Sequence, residues 1–314
     1  MSIRRGLCLV LLLVPACGPK REEPSFEVRD PIVVSGVGFA TPESVLHDAE
    51  QDVYFVSNIN GSPLDADDNG FISVVSAAGD TLALKWIDGA SPSVVLNAPK
   101  GLAVAGPYLF VADITALRRF DRRSGQPLGE IPVPGATFLN DVVAAEDGTI
   151  YFTDSGLKAG AGGLEPSGTD AVYRINPDGV MDTLAMGRDL GNPNGVAASG
   201  DSVWVVSGSG EMYRIVNGKK AGTRKLPNGS LDGLVVFGGE AFMSSWDAKG
   251  IYRGKIDGPS RLMLGNLEAP ADIGHDLWRN RLLIPLFNAN ELRIVPLAET
   301  RRTPPPGKPD SAKP

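Results

Sequence analysis

A unit that recurs six times along the chain limits the fold more than any other feature. Each copy opens on a short anchor. The anchors are Pro42-Glu43-Ser44-Val45, Pro99-Lys100-Gly101-Leu102, Leu139-Asn140-Asp141-Val142, Pro193-Asn194-Gly195-Val196, Leu231-Asp232-Gly233-Leu234 and Pro270-Ala271-Asp272-Ile273. A β-branched or aromatic run follows each anchor, as in Val53-Tyr54-Phe55-Val56, Tyr108-Leu109-Phe110-Val111 and Val203-Trp204-Val205-Val206. Such runs form strands because branched and aromatic side chains pack well on a pleated surface. Turn pairs such as Asp147-Gly148 and Asp178-Gly179 separate them, and several copies add a third run, as in Met212-Tyr213-Arg214-Ile215. No stretch beyond the N-terminal one has sustained helical periodicity. Units this thin cannot bury their own faces, so they must stack. The expected fold is all-β, a six-bladed β-propeller with four-stranded blades over residues 33–297. A β-sandwich and a seven-bladed ring are the alternatives.

The flanks read differently. Arg4 and Arg5 precede an apolar run from Leu7 to Val14, too short to span a bilayer, and then Val14-Pro15-Ala16-Cys17-Gly18. This resembles a bacterial lipobox. Residues 1–16 are expected to be a lipoprotein signal, Cys17 a lipidated first residue, and 17–32 a tether to a membrane. An ordinary cleaved signal or a free N-terminal anchor are the rival readings. Gly18, rather than Asp, after the cysteine points to the outer membrane or periplasm. Residues 298–314, including Arg301-Arg302-Thr303-Pro304-Pro305-Pro306, hold almost no apolar side chains and are expected to be a disordered tail. The only cysteines, Cys8 and Cys17, lie in the leader, so the propeller has neither a disulfide nor a thiolate metal site. A net charge of −7 argues against a nucleic-acid partner.

Propellers gather the starts of their innermost strands around a central channel. At that register stand Glu43, Lys100, Asn140, Asn194, Asp232 and Ala271, with Asp141 and Asp272 one residue later. Oxygen donors converging from separate blades suit a hard cation such as Ca²⁺. Asn-Gly and Asp-Gly are also common turn dipeptides, and each pair could merely shape a loop.

These segments, with the stretch Phe138-Leu139-Asn140-Asp141, resemble the SMP-30/gluconolactonase family, six-bladed propellers related to paraoxonases and diisopropylfluorophosphatases. The resemblance implies a divalent metal, usually Ca²⁺ in paraoxonase-like members, held by Glu43, Asn194 and Asp232. It makes Asn140 a further ligand or substrate contact and Asp232 a base or nucleophile. It implies hydrolysis of a lactone or related ester. Where sugar-lactonase members carry Arg, this chain has Phe138, which favours a more apolar substrate. Where paraoxonases carry a His, it has Lys100, either a solvated cation at the rim or a group that binds substrate or assists catalysis. Phe138, Asn140, Asp141 and Asp272 are the expected substrate contacts. The other function class is a non-catalytic, surface-anchored propeller that binds a sugar, peptide or protein partner.

Weaker features complete the reading. His47 and His275 hold equivalent positions five residues past a proline and are expected to pack strands. There is no G-x-S-x-G elbow for a serine nucleophile. Asp65-Ala66-Asp67-Asp68-Asn69-Gly70 begins like a calcium loop, but Ser76 stands where its Glu belongs, so an acidic turn is expected, or a second calcium site completed from elsewhere. Gly156 to Gly168 is expected to be a mobile loop over the mouth.

Overall fold

The computed structural model describes residues 26–28 and 30–299; the expected leader, Cys17 and the end of the tail lie outside them. One compact unit runs from Val28 to Leu297. It is a six-bladed propeller of antiparallel sheets; blades 1 to 5 each hold four strands in simple sequence order, and the sixth sheet has five, Phe26–Val28 among them. Blade 1 comprises Pro42–Asp48, Val53–Asn58, Phe71–Ser76 and Thr81–Asp88. Blades 2 to 5 begin their inner strands at Pro99, Leu139, Pro193 and Leu231. Blade 6 takes three strands from the end of the chain, Gly274–Asp276, Arg281–Leu286 and Glu291–Glu299. Its fourth is Ile32–Val34 from the start, paired through Ile32 with Ile294 and Val34 with Leu292. That exchange closes the ring and leaves neither end of the repeat array unpaired.

Apolar side chains between neighbouring blades supply the cohesion. Phe55, Ile72 and Ile87 of blade 1 meet Leu102, Leu109 and Phe120 of blade 2, and Phe55 stacks on Trp86 with ring centroids 4.9 Å apart. Alternation along each strand sends one face to each neighbour, which is why strands buried on both sides read as nearly continuous apolar runs.

Every inner strand has the same irregularity at its anchor. Pairing shifts by one residue between Pro42 and Val45, Pro99 and Leu102, Leu139 and Val142, Pro193 and Val196, and Leu231 and Leu234. In blade 6 the same offset separates the Pro270–Leu286 bridge from the Gly274–Leu283 pair. These are β-bulges, which re-aim side chains and free ladder groups. Hydroxyls of the second strand occupy the freed donors. Ser44 N–H donates to Ser57 Oγ at 2.9 Å, Asp141 N–H to Thr153 Oγ1 at 3.1 Å, and Gly233 N–H to Ser244 Oγ at 2.7 Å. Thr153 and Ser244 then donate to carbonyls of the next blade, Asn194 and Ala271, so the bulges also join the blades.

Two loops depart from simple hairpins. Residues 59–70 form the long loop of blade 1. Gly156 to Gly168 is not an irregular loop, as expected from its glycines, but a β-hairpin in which Leu157–Gly160 pairs with Gly163–Pro166. Ser167 N–H closes its base on Gly156 C=O at 2.7 Å.

Candidate functional site

The bulges split each anchor between two levels of the channel. Glu43, Lys100, Asn140, Asn194 and Asp232 line a cavity of about 300 Å³ at one mouth. Asp141 and Asp272 line a second cavity of about 200 Å³ on the other side. The two aspartates are therefore not brought to the first pocket, where the sequence reading placed them as substrate contacts. At their level, glycine fills three of the six positions because the next blade leaves no room. A Cβ on Gly233 would lie 2.3 Å from Ile273 N and 2.7 Å from Asp272 Cα, and one on Gly101 2.5 Å from Asp141 Cα.

Asp141 and Asp272 come from opposite blades and line the same cavity, where charge on Asp141 disfavours charge on Asp272. Asp141 also accepts from the N–H groups of Val142 and Val196, both at 2.7 Å, and Asp272 accepts from Ser44 Oγ at 2.5 Å. Burial pushes the Asp141 carboxyl up to about 7 and Asp272 well above its ordinary range. Two carboxyls this dry resist ionising together. With these donors in place the two carboxyls are satisfied without a ligand.

The upper level is different, because its oxygens lack partners. Glu43 Oε2, Asn194 Oδ1 and Asp232 Oδ1 are buried and accept no hydrogen bond from any protein atom. All three line the same pocket and come from blades 1, 4 and 5. An unsatisfied buried oxygen costs about 1–3 kcal/mol, more when it is charged, so two carboxylate oxygens and an amide oxygen together call for a cation. Burial raises Glu43 well above its usual range, aided by Asp232 and Asp272 and opposed by Lys100. Burial, then Asp272, raises Asp232 to about 7. Among the described residues no cluster of three or more His, Cys, Asp or Glu has metal-holding geometry. The donors here are two carboxylates and amides, an all-oxygen set of the type hard cations accept.

Lys100 is not that cation, nor is it a solvated rim charge. It is 1% exposed and donates to Ala98 C=O at 3.0 Å and Pro63 C=O at 3.1 Å. Its ammonium lies 4.5 Å from the centre of the Phe138 ring. Burial lowers it to about 8 against the pull of Glu43. One of its protons thus pins the blade 1 loop to the channel wall, and a second caps the carbonyl just before its own strand. Asn140 Nδ2 donates to Ser155 Oγ at 2.9 Å, and Ser155 donates on to Pro193 C=O at 2.7 Å, which leaves Asn140 Oδ1 for the pocket.

Several pocket residues carry no anchor signature. Trp246 Nε1 donates to Asp232 Oδ2 at 2.6 Å, so one oxygen of that carboxylate is committed and the other is the unpartnered Oδ1. Its ring tilts against Phe287, 5.3 Å away. Ile59, Gly208, Trp246 and Phe287 line the pocket from one repeat register, just past the end of each second strand. That register was available in the sequence and went unread. Leu157 and Leu164 of the inserted hairpin, with Pro63, complete an apolar wall.

The remaining candidates lie away from the pocket. His47 Nε2 sits 3.3 Å from Asp52 and His275 Nε2 3.2 Å from Asn280, five residues on in each case. His275 also stacks on Phe237 at 3.5 Å. In the acidic loop, Asn69 Nδ2 donates to Asp67 at 2.5 Å and Asn97 Oδ1 accepts from Asp68 N–H at 3.0 Å.

A ring of six blades with oxygen donors gathered on its axis defines the architectural class of this protein. Comparison with solved structures places it beside gluconolactonase propellers. A gluconolactonase from Xanthomonas campestris superposes with a TM-score of 0.65 at 22% identity, over 92% of this chain and 100% of that one. A putative gluconolactonase gives 0.61 at 18% identity, over 86% and 94%. Virginiamycin B lyase from Staphylococcus aureus gives 0.57 at 14% identity, over 87% and 99%. At these identities the likeness is one of fold. No protein-family model and no curated protein matches the chain.

Proposed function

We propose that this protein is a divalent-metal-dependent hydrolase of apolar lactones or related esters. One observation carries the reading: three buried oxygens without partners, Glu43 Oε2, Asn194 Oδ1 and Asp232 Oδ1, lie on the floor of one apolar pocket. The fold shared with gluconolactonases supports the lactone class. Glu43, Asn194 and Asp232 would hold the ion, Ca²⁺ by the hardness of the donors, with Asn140 beside them. When bound, it supplies polarisation of the substrate carbonyl and offsets charge on the tetrahedral oxyanion.

The protein's own groups do the rest. Asp232 takes a proton from the attacking water as its oxygen bonds to the carbonyl carbon, and returns it to the leaving alkoxide as the ring or ester C–O bond breaks. Trp246 holds the Asp232 carboxylate in one orientation. Ile59, Phe138, Leu157, Leu164, Trp246 and Phe287 exclude water and receive an alkyl or aryl body. A polyol would leave its hydroxyls unpaired against that wall, at a cost comparable to burying any unsatisfied polar group.

The test is metal content by mass spectrometry beside turnover of a lactone and aryl-ester series, with and without chelator. Bound Ca²⁺ and chelator-sensitive hydrolysis that improves with alkyl length support the reading. Metal-free protein that hydrolyses nothing in the series would sink it and promote the binding propeller.

A further inference from the structure

The second face of the ring has a feature that the pocket does not explain. Strands alternate in direction, so the turns between first and second strands all lie at the end of the blades away from the pocket. Most of these turns are built from Gly, Pro or acidic residues, such as Glu50, Asp147 and Gly239. Blade 6 differs. Its turn presents Leu277 and Trp278, 71% and 62% exposed. The turn is held firmly beneath them. Arg279 bonds Asp52 at 2.6 Å and Asp276 at 3.1 Å, and the Trp278 ring meets His47 edge-on at 5.6 Å.

The chain reaches the propeller at this same place. Leu286 and Glu291 close the blade 6 hairpin beside Phe287, which lines the pocket. Ile32 pairs with Ile294 and Val34 with Leu292, so going back from Val34 to Ile32 leads away from the pocket, toward the Arg281–Pro296 pair and the Leu277-Trp278 turn. Residues 18–25 separate Cys17 from the strand Phe26–Val28, which pairs with Glu291–Glu299. Fully extended they span roughly 27 Å.

We infer that the Leu277-Trp278 turn seats on a lipid surface, with the protein tethered through Cys17 and the pocket opening away from the membrane. Trp is favoured at the boundary between headgroups and acyl chains, where its amphipathic ring is half wet. Besides an acyl anchor, a contact between protein and interface fixes which face of the protein meets the membrane. The turn is that contact, at the face where the tether arrives. The acidic net charge makes a zwitterionic bilayer the suitable surface rather than an anionic one.

The experiment uses the full-length acylated protein on phosphatidylcholine vesicles with brominated acyl chains, read by tryptophan fluorescence. The expected result is quenching of a component of the emission that Trp278→Phe lacks. In the unacylated Cys17→Ser protein, Leu277→Ser with Trp278→Ser should weaken vesicle partitioning about tenfold. Both side chains are exposed, so the fold is expected to persist, as near-ultraviolet circular dichroism would verify. Equal quenching with and without Trp278 overturns the inference. Quenching lost instead in Trp246→Phe overturns it by turning the pocket face to the membrane. A dimer abolished by Trp278→Ser, without quenching, overturns it in favour of a second copy.

Discussion

Replacing Asp232 by Asn should make the metal-free protein more stable while removing most of its activity. In the folded protein burial, and then Asp272, raise this carboxyl from 3.8 to about 7, against the hydrogen bond from Trp246. A raised carboxyl pKa means that the folded state resists ionisation. The cost is absent below the unfolded value near 4, grows between pH 4 and 7, and is constant above. Three pH units at about 1.4 kcal/mol each give roughly 4 kcal/mol above pH 7. Asn is neutral throughout, keeps the volume, and still offers an oxygen to Trp246. Urea unfolding in chelator should therefore show the variant gaining stability over the parent from pH 4.5 to pH 8. The same variant should lose about a hundredfold or more in lactone turnover, the usual range for removal of a general base. A stability difference that does not change with pH would refute the placement of a strained carboxylate here. Full turnover would refute its role as base.

Other outcomes follow from single contacts. Glu43→Gln should retain the fold and weaken metal binding more than it slows turnover at saturating metal, as read by titration with Ca²⁺. Trp246→Phe removes a charge-assisted hydrogen bond and should lower kcat/KM about ten- to a hundredfold, while abolishing the change in tryptophan emission on metal addition. Gly233→Ala meets backbone atoms and should lower stability by about 3 kcal/mol or more, seen as a drop in Tm without metal dependence. Asp67→Ala should leave turnover intact, because its carboxylate bonds only within its own loop.

The fold was legible because the repeat is written at three levels: anchor, strand and turn. Each level is enforced by local physics that does not depend on the rest of the ring. Closure was not legible in the same way. Ile32–Val34 is a short apolar run whose partner lies some 260 residues away, and pairing at that distance leaves no local trace. The hairpin at Leu157–Gly160 was missed because glycines at its turn look like loop composition, while its strands are four residues each and carry no alternation.

The site was legible as residue types and illegible as directions. The spacing of the anchors brings Asn140 and Asp141 to the channel with equal claim, yet the bulge turns neighbouring side chains to opposite sides. Asn140 faces the pocket, and Asp141 lines the second cavity with Asp272. The distinction is energetic as well as geometric. The lower carboxylates are supplied with backbone and hydroxyl donors, so they are satisfied without a ligand. The upper oxygens are denied such donors, and Lys100, the nearest cation, is spent on two carbonyls. A channel that satisfies one pair of carboxyls and leaves the next set of oxygens unsatisfied keeps its binding capacity on one side. The apolar wall stands on that side, so polarised chemistry and an apolar substrate body meet in a single cavity.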